Sequence, residues 1–272
     1  MKWILAYCKE DIEKNKAYID LYFTSCQKRG ISLLLLTLEE IFAFFSEPSE
    51  KIDLVINRTR NWDLSVLLEK KGIPVSNSAK VTELGNHKLK AVYYIQKLGI
   101  PCMESALFDA SFQRKKWEYP YVIKSVDGHG GSEVFRIMDD HERKAKEDLW
   151  KSEKWMAQKQ CSDLGKDLRV YVVGNQIFAG MLRSSDVDFR SNYSLGGKAT
   201  PVPVDSEVKE YVETILQKLP MDHCGIDFIY HEGHPVFNEI EDVVGSRMLY
   251  ANTDRNIVEE YVEYLYSLRK VR

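Results

Sequence analysis

Gly225-Ile226-Asp227-Phe228 and, beyond a short turn, Phe237-Asn238-Glu239-Ile240-Glu241 decide the reading of this chain. Read as two strands closing around Gly233, they form a hairpin that sets Asp227 opposite Glu239. Glu241 stands two residues further on and points to the same face, because strand side chains alternate. Three carboxylates then crowd one patch of sheet. At about 4 Å each like-charged pair costs roughly 1 kcal/mol even at the dielectric of water, and several-fold more in a cleft. Something positive is therefore expected between them. Oxygen-only ligands suit Mg²⁺, which takes one or two carboxylates and keeps its other positions for water and substrate phosphates. An acidic hairpin facing solvent is the alternative this pattern leaves open.

Pro120-Tyr121-Val122-Ile123-Lys124-Ser125-Val126-Asp127-Gly128-His129-Gly130-Gly131 carries a second signal. A lysine ends a strand, and glycines follow at Gly128, Gly130 and Gly131. Such a loop can bring backbone N–H groups close to an anion. The lysine precedes the glycines and no helix opens after them, so this is not a Walker A sequence. A hairpin lid over nucleotide phosphates fits better, with an ordinary flexible turn as the alternative. A third signal is a set of cations at strand and loop positions: Arg169 in Gly165-Lys166-Asp167-Leu168-Arg169, Arg183, and Arg190 in Asp188-Phe189-Arg190-Ser191-Asn192. Each alone reads as a solvated surface group. Together with a carboxylate site they match what offsets the charge on a moving phosphoryl group.

The chain has 272 residues, 44% of them hydrophobic, enough to bury a core in two or three lobes. A net charge of −3 argues against a nucleic-acid or bulk membrane partner. No apolar run approaches the roughly 20 residues that span a bilayer, and the N-terminus turns polar too soon for a signal-peptide core. The five cysteines are scattered without CxxC spacing, as expected of reduced thiols in a cytoplasmic protein. Residues 1–76 alternate strand and helix, including one helix over about Glu10–Lys28 and another opened by Thr37 with Glu40 three later. This predicts an α/β domain with a parallel sheet. No GxGxxG follows the first strand, so a dinucleotide-binding domain is not expected. Beyond Ser76–Ser78 the pattern changes to α+β with antiparallel hairpins, divided into a central subdomain at 77–157 and a C-terminal subdomain at 158–272.

The run from Asn86 to Gly245 resembles the ATP-grasp enzymes, most closely the ribosomal-protein glutamate ligases and LysW–aminoadipate ligases. The resemblance implies an ATP-grasp fold whose two subdomains clamp ATP. It also implies an ATP-dependent carboxylate–amine ligase working through an acyl phosphate. Asn86-His87-Lys88-Leu89 matches a helix start whose lysine meets the phosphates, which gives that role to Lys88. Lys124 would touch the α- and β-phosphates, and Asp127, Gly128, His129, Gly130 and Gly131 would form the lid. Gln158, Lys159 and Cys161 fall where a strand meets adenine, although a glutamate is usual at Lys159. By the same resemblance, Arg169 and Arg183 face the phosphates, and Arg190 and Asn192 the acyl phosphate. Asp227, Glu239 and Glu241 align with the ligands of Mg²⁺, two ions being expected, with Mn²⁺ as a substitute.

The departures bear on substrate and metal. Glu241 replaces an asparagine and adds a charge that favours a second cation. Leu195 stands where glutamate-adding relatives carry an arginine for the acidic substrate, which puts a dicarboxylic amine in doubt. Val243-Val244 replaces Ser-Pro, and Arg247 nearby is a candidate for the missing anion contact or for a structural salt bridge. Arg58 and Arg60 follow a strand of the first domain at the edge where α/β sheets bind ligands, and are candidates for substrate contact or for a structural role. His129 is a general-base candidate by proximity alone. The expected partners are small-molecule or peptide carboxylates and amines, with a homo-oligomer expected by analogy. An ATP-grasp kinase and a catalytically silent nucleotide-binding subunit are the rival readings.

Overall fold

Trp3-Ile4-Leu5-Ala6-Tyr7 is a continuous apolar run, the pattern of a strand buried on both faces. The structure, a computed structural model, describes residues 1–46, 51–109, 112, 117–151, 154–191 and 196–270. In it β1 (Lys2–Tyr7) pairs in parallel with β2 (Ser32–Thr37) and β3 (Leu54–Arg58), and β4 (Val75–Ser76) completes the order β2-β1-β3-β4. Ile4 and Ala6 pack under α3 (Leu38–Phe44) and α4 (Trp62–Lys70). Trp3, Leu5 and Tyr7 point the other way into a cluster shared with α2 (Lys16–Gln27). Thr37 and Glu40 form the capping box, each side chain binding the other's backbone N–H. The helix expected over Glu10–Lys28 is two, α1 (Lys9–Lys14) and α2, broken at Asn15. The Asn15 amide donates to the Asp11 carbonyl at 2.7 Å, a local bond that competes with the helical ladder.

The glycine-rich hairpin belongs to an antiparallel sheet of order β5-β8-β6-β7: β5 (Ser105–Leu107), β6 (Tyr121–Ser125), β7 (Val134–Ile137) and β8 (Trp155–Lys159). Phe108, Phe112, Tyr121, Trp150 and Trp155 fill its core, and α7 (Asp140–Ala145) follows β7. The change of sheet comes after Lys159; a division at 157/158 falls inside β8.

The largest sheet is antiparallel, of order β11-β10-β9-β12-β13. Its strands are β9 (Asp163–Val173), β10 (Gln176–Ser184), β11 (Lys198–Val202), β12 (His223–His231) and β13 (His234–Glu241). Leu168, Val170 and Val172 of β9 face a cluster with α8 (Ser206–Lys218), α5 (Ala79–Gly85) and α6 (Lys88–Gln96). Residues 79–96 thus pack mainly on this sheet, while Leu89 of α6 also meets Val126 and Met156 on the lid side. Tyr171 and Val173 face the opposite side, into the cluster that holds Trp3, Leu5 and Tyr7. That cluster also takes α9 (Arg247–Asn252) and α10 (Ile257–Lys270). The N-terminal sheet and the five-stranded sheet therefore share one core. Its faces meet at the carboxyl ends of β1 and β3, beside the last residues of β13. No helix among the described residues is long and apolar enough to cross a membrane, and all five cysteines are free.

Candidate active site

The side chains that alternate with the apolar core on the five-stranded sheet build the floor of the site. Asp167 and Arg169 continue the face of Tyr171, and across the ladder Asp227 stands directly opposite Arg169. Arg183 of β10 stands opposite Asp167, while Asp227 and Gly225 pair with Glu239 and Glu241 of β13. The expected hairpin register holds, and carboxylate oxygens of Asp227, Glu239 and Glu241 lie within 4.8 Å of one another. A Cβ at Gly225 would lie 2.9 Å from Val244 and 3.4 Å from the Arg169 Cδ, so glycine lets the arginine lie flat across the strand.

Arginines offset part of the crowded charge on this floor. Arg169 Nε and Nη2 donate to the two Asp227 oxygens at 2.8 and 2.7 Å, and its Nη1 reaches Glu241 at 2.7 Å. Arg183 Nε donates to Asp167 at 2.6 Å, and its Nη2 bridges Asp167 and Asp227. Asp227 is fully buried. Burial alone would push the carboxyl up, but Arg169 and Arg183 outweigh it and hold it below its ordinary range. Arg169 and Arg183, expected to face phosphates, also serve as counter-ions to the floor carboxylates, and Arg183 lines the cavity. Arg169 meets part of the added charge of Glu241. Burial pushes the Glu241 carboxyl up, against the pull of Arg169.

The lid sheet forms the opposite wall of a cavity of about 120 Å³. Lys124, buried at the end of β6, donates to Asn238 Oδ1 at 3.0 Å. Burial lowers its ammonium to about 8, with Glu239 pulling the other way. Lys88 opens α6, tied to the lid strand by its N–H on the Val126 carbonyl at 2.8 Å. Its Nζ donates to the Gly128 carbonyl and stands 3.5 Å from Glu239. The cavity thus brings together Lys88, Lys124, the lid residues Gly128 to Gly131, Gln158, Lys159, Cys161, Glu239 and Glu241. Asp127 is exposed, accepts from the Ser125 hydroxyl at 2.6 Å and does not line the cavity. Gln158 is held by Ser105, while Lys159 pairs with Glu104 at 2.7 Å and gives its N–H to the Glu104 carbonyl. Burial raises the Cys161 thiol. Arg190 pairs with Asp188 at 2.7 Å and donates to the Gly131 carbonyl at 2.6 Å, joining the loop after β10 to the lid. Asn192 and Leu195 lie outside the described residues.

A second cleft, of about 360 Å³, lies between the N-terminal sheet and the end of β13. Arg58, Arg60 and Arg247 line it, and it shares His129, Gly130, Arg183 and Glu241 with the first cavity. The two spaces meet at the lid tip, over the carboxylate floor. Arg60 is paired with Asp11 at 2.7 Å. Arg247 is exposed and forms no ion pair among the described residues, so the salt bridge considered for it is absent there. Asp167 and Asn238 were not singled out as functional from the sequence. Strand alternation from Arg169 and Glu241 would have placed Asp167 on the floor, but gave no signal for Asn238. As a metal site the donor set is coherent: hard oxygens only, with Glu239 and Glu241 lining the cavity while Asp227 is engaged by guanidiniums.

A family profile described as the RimK-like ATP-grasp domain matches residues 65–265. An uncharacterized protein of Mycoplasma pneumoniae is 26% identical over 251 residues, which is 91% of this chain and 86% of that one. N-acetylaspartylglutamate synthase A of Homo sapiens is 39% identical over 114 residues, 41% of this chain and 29% of that one. Among solved structures, the ATP-grasp ligase PsnB, complexed with a phosphomimetic variant of minimal precursor, Mg and ADP, has a TM-score of 0.73 at 15% identity, covering 98% of each chain.

The floor predicts a sharp contrast in stability. Arg183→Met leaves buried Asp167 without a cation and should cost about 3–5 kcal/mol. Arg190→Met breaks a pair at the cleft rim and should cost about 1 kcal/mol or less. Urea unfolding of both variants checks this, and equal losses would contradict the assigned network.

Proposed function

The chain belongs to the RimK-like ATP-grasp family of ATP-dependent ligases, and from that premise we propose that it joins a carboxylate to an amine. The observation that carries the reading is the meeting of two cationic spaces above Arg183 and Glu241. ATP occupies the first, with adenine toward Gln158 and Cys161 and the phosphates between Lys88 and Lys124. The carboxylate substrate enters the second and reaches the γ-phosphate at the junction. Glu239 and Glu241 would hold Mg²⁺, with Asp227 beside them; the ion would supply charge neutralisation on the phosphates. A second ion and replacement by Mn²⁺ belong to this same proposal.

The residues align groups more than they react. A substrate carboxylate oxygen attacks the γ-phosphorus, the bond to the β-bridging oxygen breaks, and ADP leaves. The amine nitrogen then attacks the acyl carbonyl, loses a proton, and phosphate departs. Lys124 and Lys88 offset charge on the nucleotide, and Arg190 with Gly131 holds the lid closed over it. Arg183 and Arg169 hold the floor together and offset part of its negative charge at the junction. Asn192 is proposed beside the acyl phosphate. The name of the human relative, N-acetylaspartylglutamate synthase A, and a PsnB structure complexed with a precursor peptide support small or peptide substrates.

Phosphate release screened over mixed carboxylates and amines should require one of each, and hydroxylamine should trap a hydroxamate. A stable phosphorylated product without free phosphate would replace this reading by a phosphotransferase. A second expectation concerns pH. Lys124, lowered to about 8 in the free protein, is drawn back to its charged form by a polyphosphate, so binding takes up a proton. Affinity for ATP should therefore be flat below that value and fall by up to about tenfold per pH unit above it. Calorimetry in buffers of different ionisation enthalpy reads both effects. Lys124→Ala should abolish them, and a pH-independent dissociation constant in the parent chain would contradict the role of this lysine.

A further inference from the structure

Three arginines are buried among the described residues: Arg58, Arg169 and Arg183. Two of them are matched by carboxylates, as the floor requires. Arg58 is not. It is 6% exposed, yet its Nε donates to the Tyr7 hydroxyl at 2.9 Å and its Nη2 to the Val244 carbonyl at 3.0 Å, both neutral acceptors. The rings of Tyr18 and Tyr7 stand 5.1 and 5.8 Å from the guanidinium carbon. Nη1 has no hydrogen-bond or ion-pair partner among the described residues and is not sealed from the cleft that Arg58 lines. A guanidinium taken out of water without a counter-ion is costly, so such a group points to a missing anion.

The acids that line the same cleft are engaged elsewhere. Asp11 pairs with Arg60, Glu241 with Arg169, and Asp242 accepts from Asn77 at 2.6 Å; Asp242 feels Arg58 through space but forms no ion pair with it. His223, on the far side of Tyr18, is held neutral by burial and by Arg58 itself. Exposed Lys14 and Arg247 add positive charge at the rim. Arg58 lines the second cleft but not the nucleotide cavity, so it stands away from the junction where the γ-phosphate is transferred.

We infer that the acyl substrate carries a second anionic group, separate from the reacting carboxylate, and that Arg58 binds it. The inference rests on the ligase reading for the position of the reacting end. It excludes simple monocarboxylates as good substrates and favours acids with two or more anionic groups. A site built to bind a charged group rejects analogues that lack it, because the buried partner is then left unpaired. Arg58 acts here as a specificity residue; it takes no part in bond making.

Titration calorimetry of the full chain with glutarate and with pentanoate tests this, each with and without Mg²⁺ and a non-hydrolysable ATP analogue. Glutarate should bind at least about tenfold more tightly than pentanoate, as expected for one hydrogen-bonded charge. Arg58→Met should bring the two within about twofold while leaving affinity for the nucleotide analogue unchanged. Arg58→Lys, which keeps the charge, should retain part of the preference and serves if the methionine variant does not fold. 3-Phosphoglycerate against glutarate distinguishes a phosphate from a carboxylate as the second group. Equal binding of glutarate and pentanoate by the parent chain, or a preference that survives in Arg58→Met, would overturn the inference. A lower unfolding midpoint with an unchanged ratio would make Arg58 a strut between domains. Failure of the parent chain to bind the nucleotide analogue would strike at the ligase reading instead, and the nucleotide-free titrations still report on Arg58.

Discussion

The buried cluster of Arg169 and Arg183 with Asp167, Asp227 and Glu241 is the constraint on which the rest of the structure depends. Its members come from β9, β10, β12 and β13, and each pair sits at direct or adjacent ladder positions. A slip of one residue in any of these strands would turn charges into the apolar layer and Leu168, Val170 or Ile226 into the cleft. The cluster therefore sets register as well as charge. It also explains how three carboxylates are tolerated on one face: two guanidiniums spread over them leave the edge lined by Glu239 and Glu241 open toward the cavity.

Much of this was legible in the residues themselves. The hairpin register of Asp227 and Glu239 followed from alternation alone, and Thr37 with Glu40 announced a helix start that the structure shows bond for bond. The break at Asn15 was hidden because apolar periodicity runs through it, and only the side chain's bond to the Asp11 carbonyl interrupts the helix. Packing of α6 on the five-stranded sheet was equally hidden. Periodicity tells which face of a helix is apolar, not which sheet will cover it. The ion pairs of Arg169 and Arg183 were hidden for a related reason. A cation near an acidic hairpin serves equally well as a phosphate ligand or as an internal counter-ion, and only burial and distance separate the two.

The lid and the floor come from different sheets, and the polar contacts that span them are few and specific. Lys88 bonds the Gly128 carbonyl and stands beside Glu239, Lys124 bonds Asn238, and Arg190 bonds the Gly131 carbonyl. Each is a cation on a neutral or acidic group, and under the proposed function a polyphosphate would compete for these cations. The N-terminal sheet adds the second cleft through the carboxyl ends of β1 and β3, where parallel sheets present ligands. Because its core is continuous with that of the five-stranded sheet, the second cleft is held rigidly against the floor.

The account stands or falls on where a triphosphate lies relative to these two spaces. A crystal structure with Mg²⁺ and a non-hydrolysable ATP analogue tests this most directly. It should show phosphates between Lys88 and Lys124, the ion on Glu239 and Glu241, and the γ-phosphate at the junction above Arg183. A nucleotide bound elsewhere, or one whose γ-phosphate points away from the cleft lined by Arg58, would contradict it.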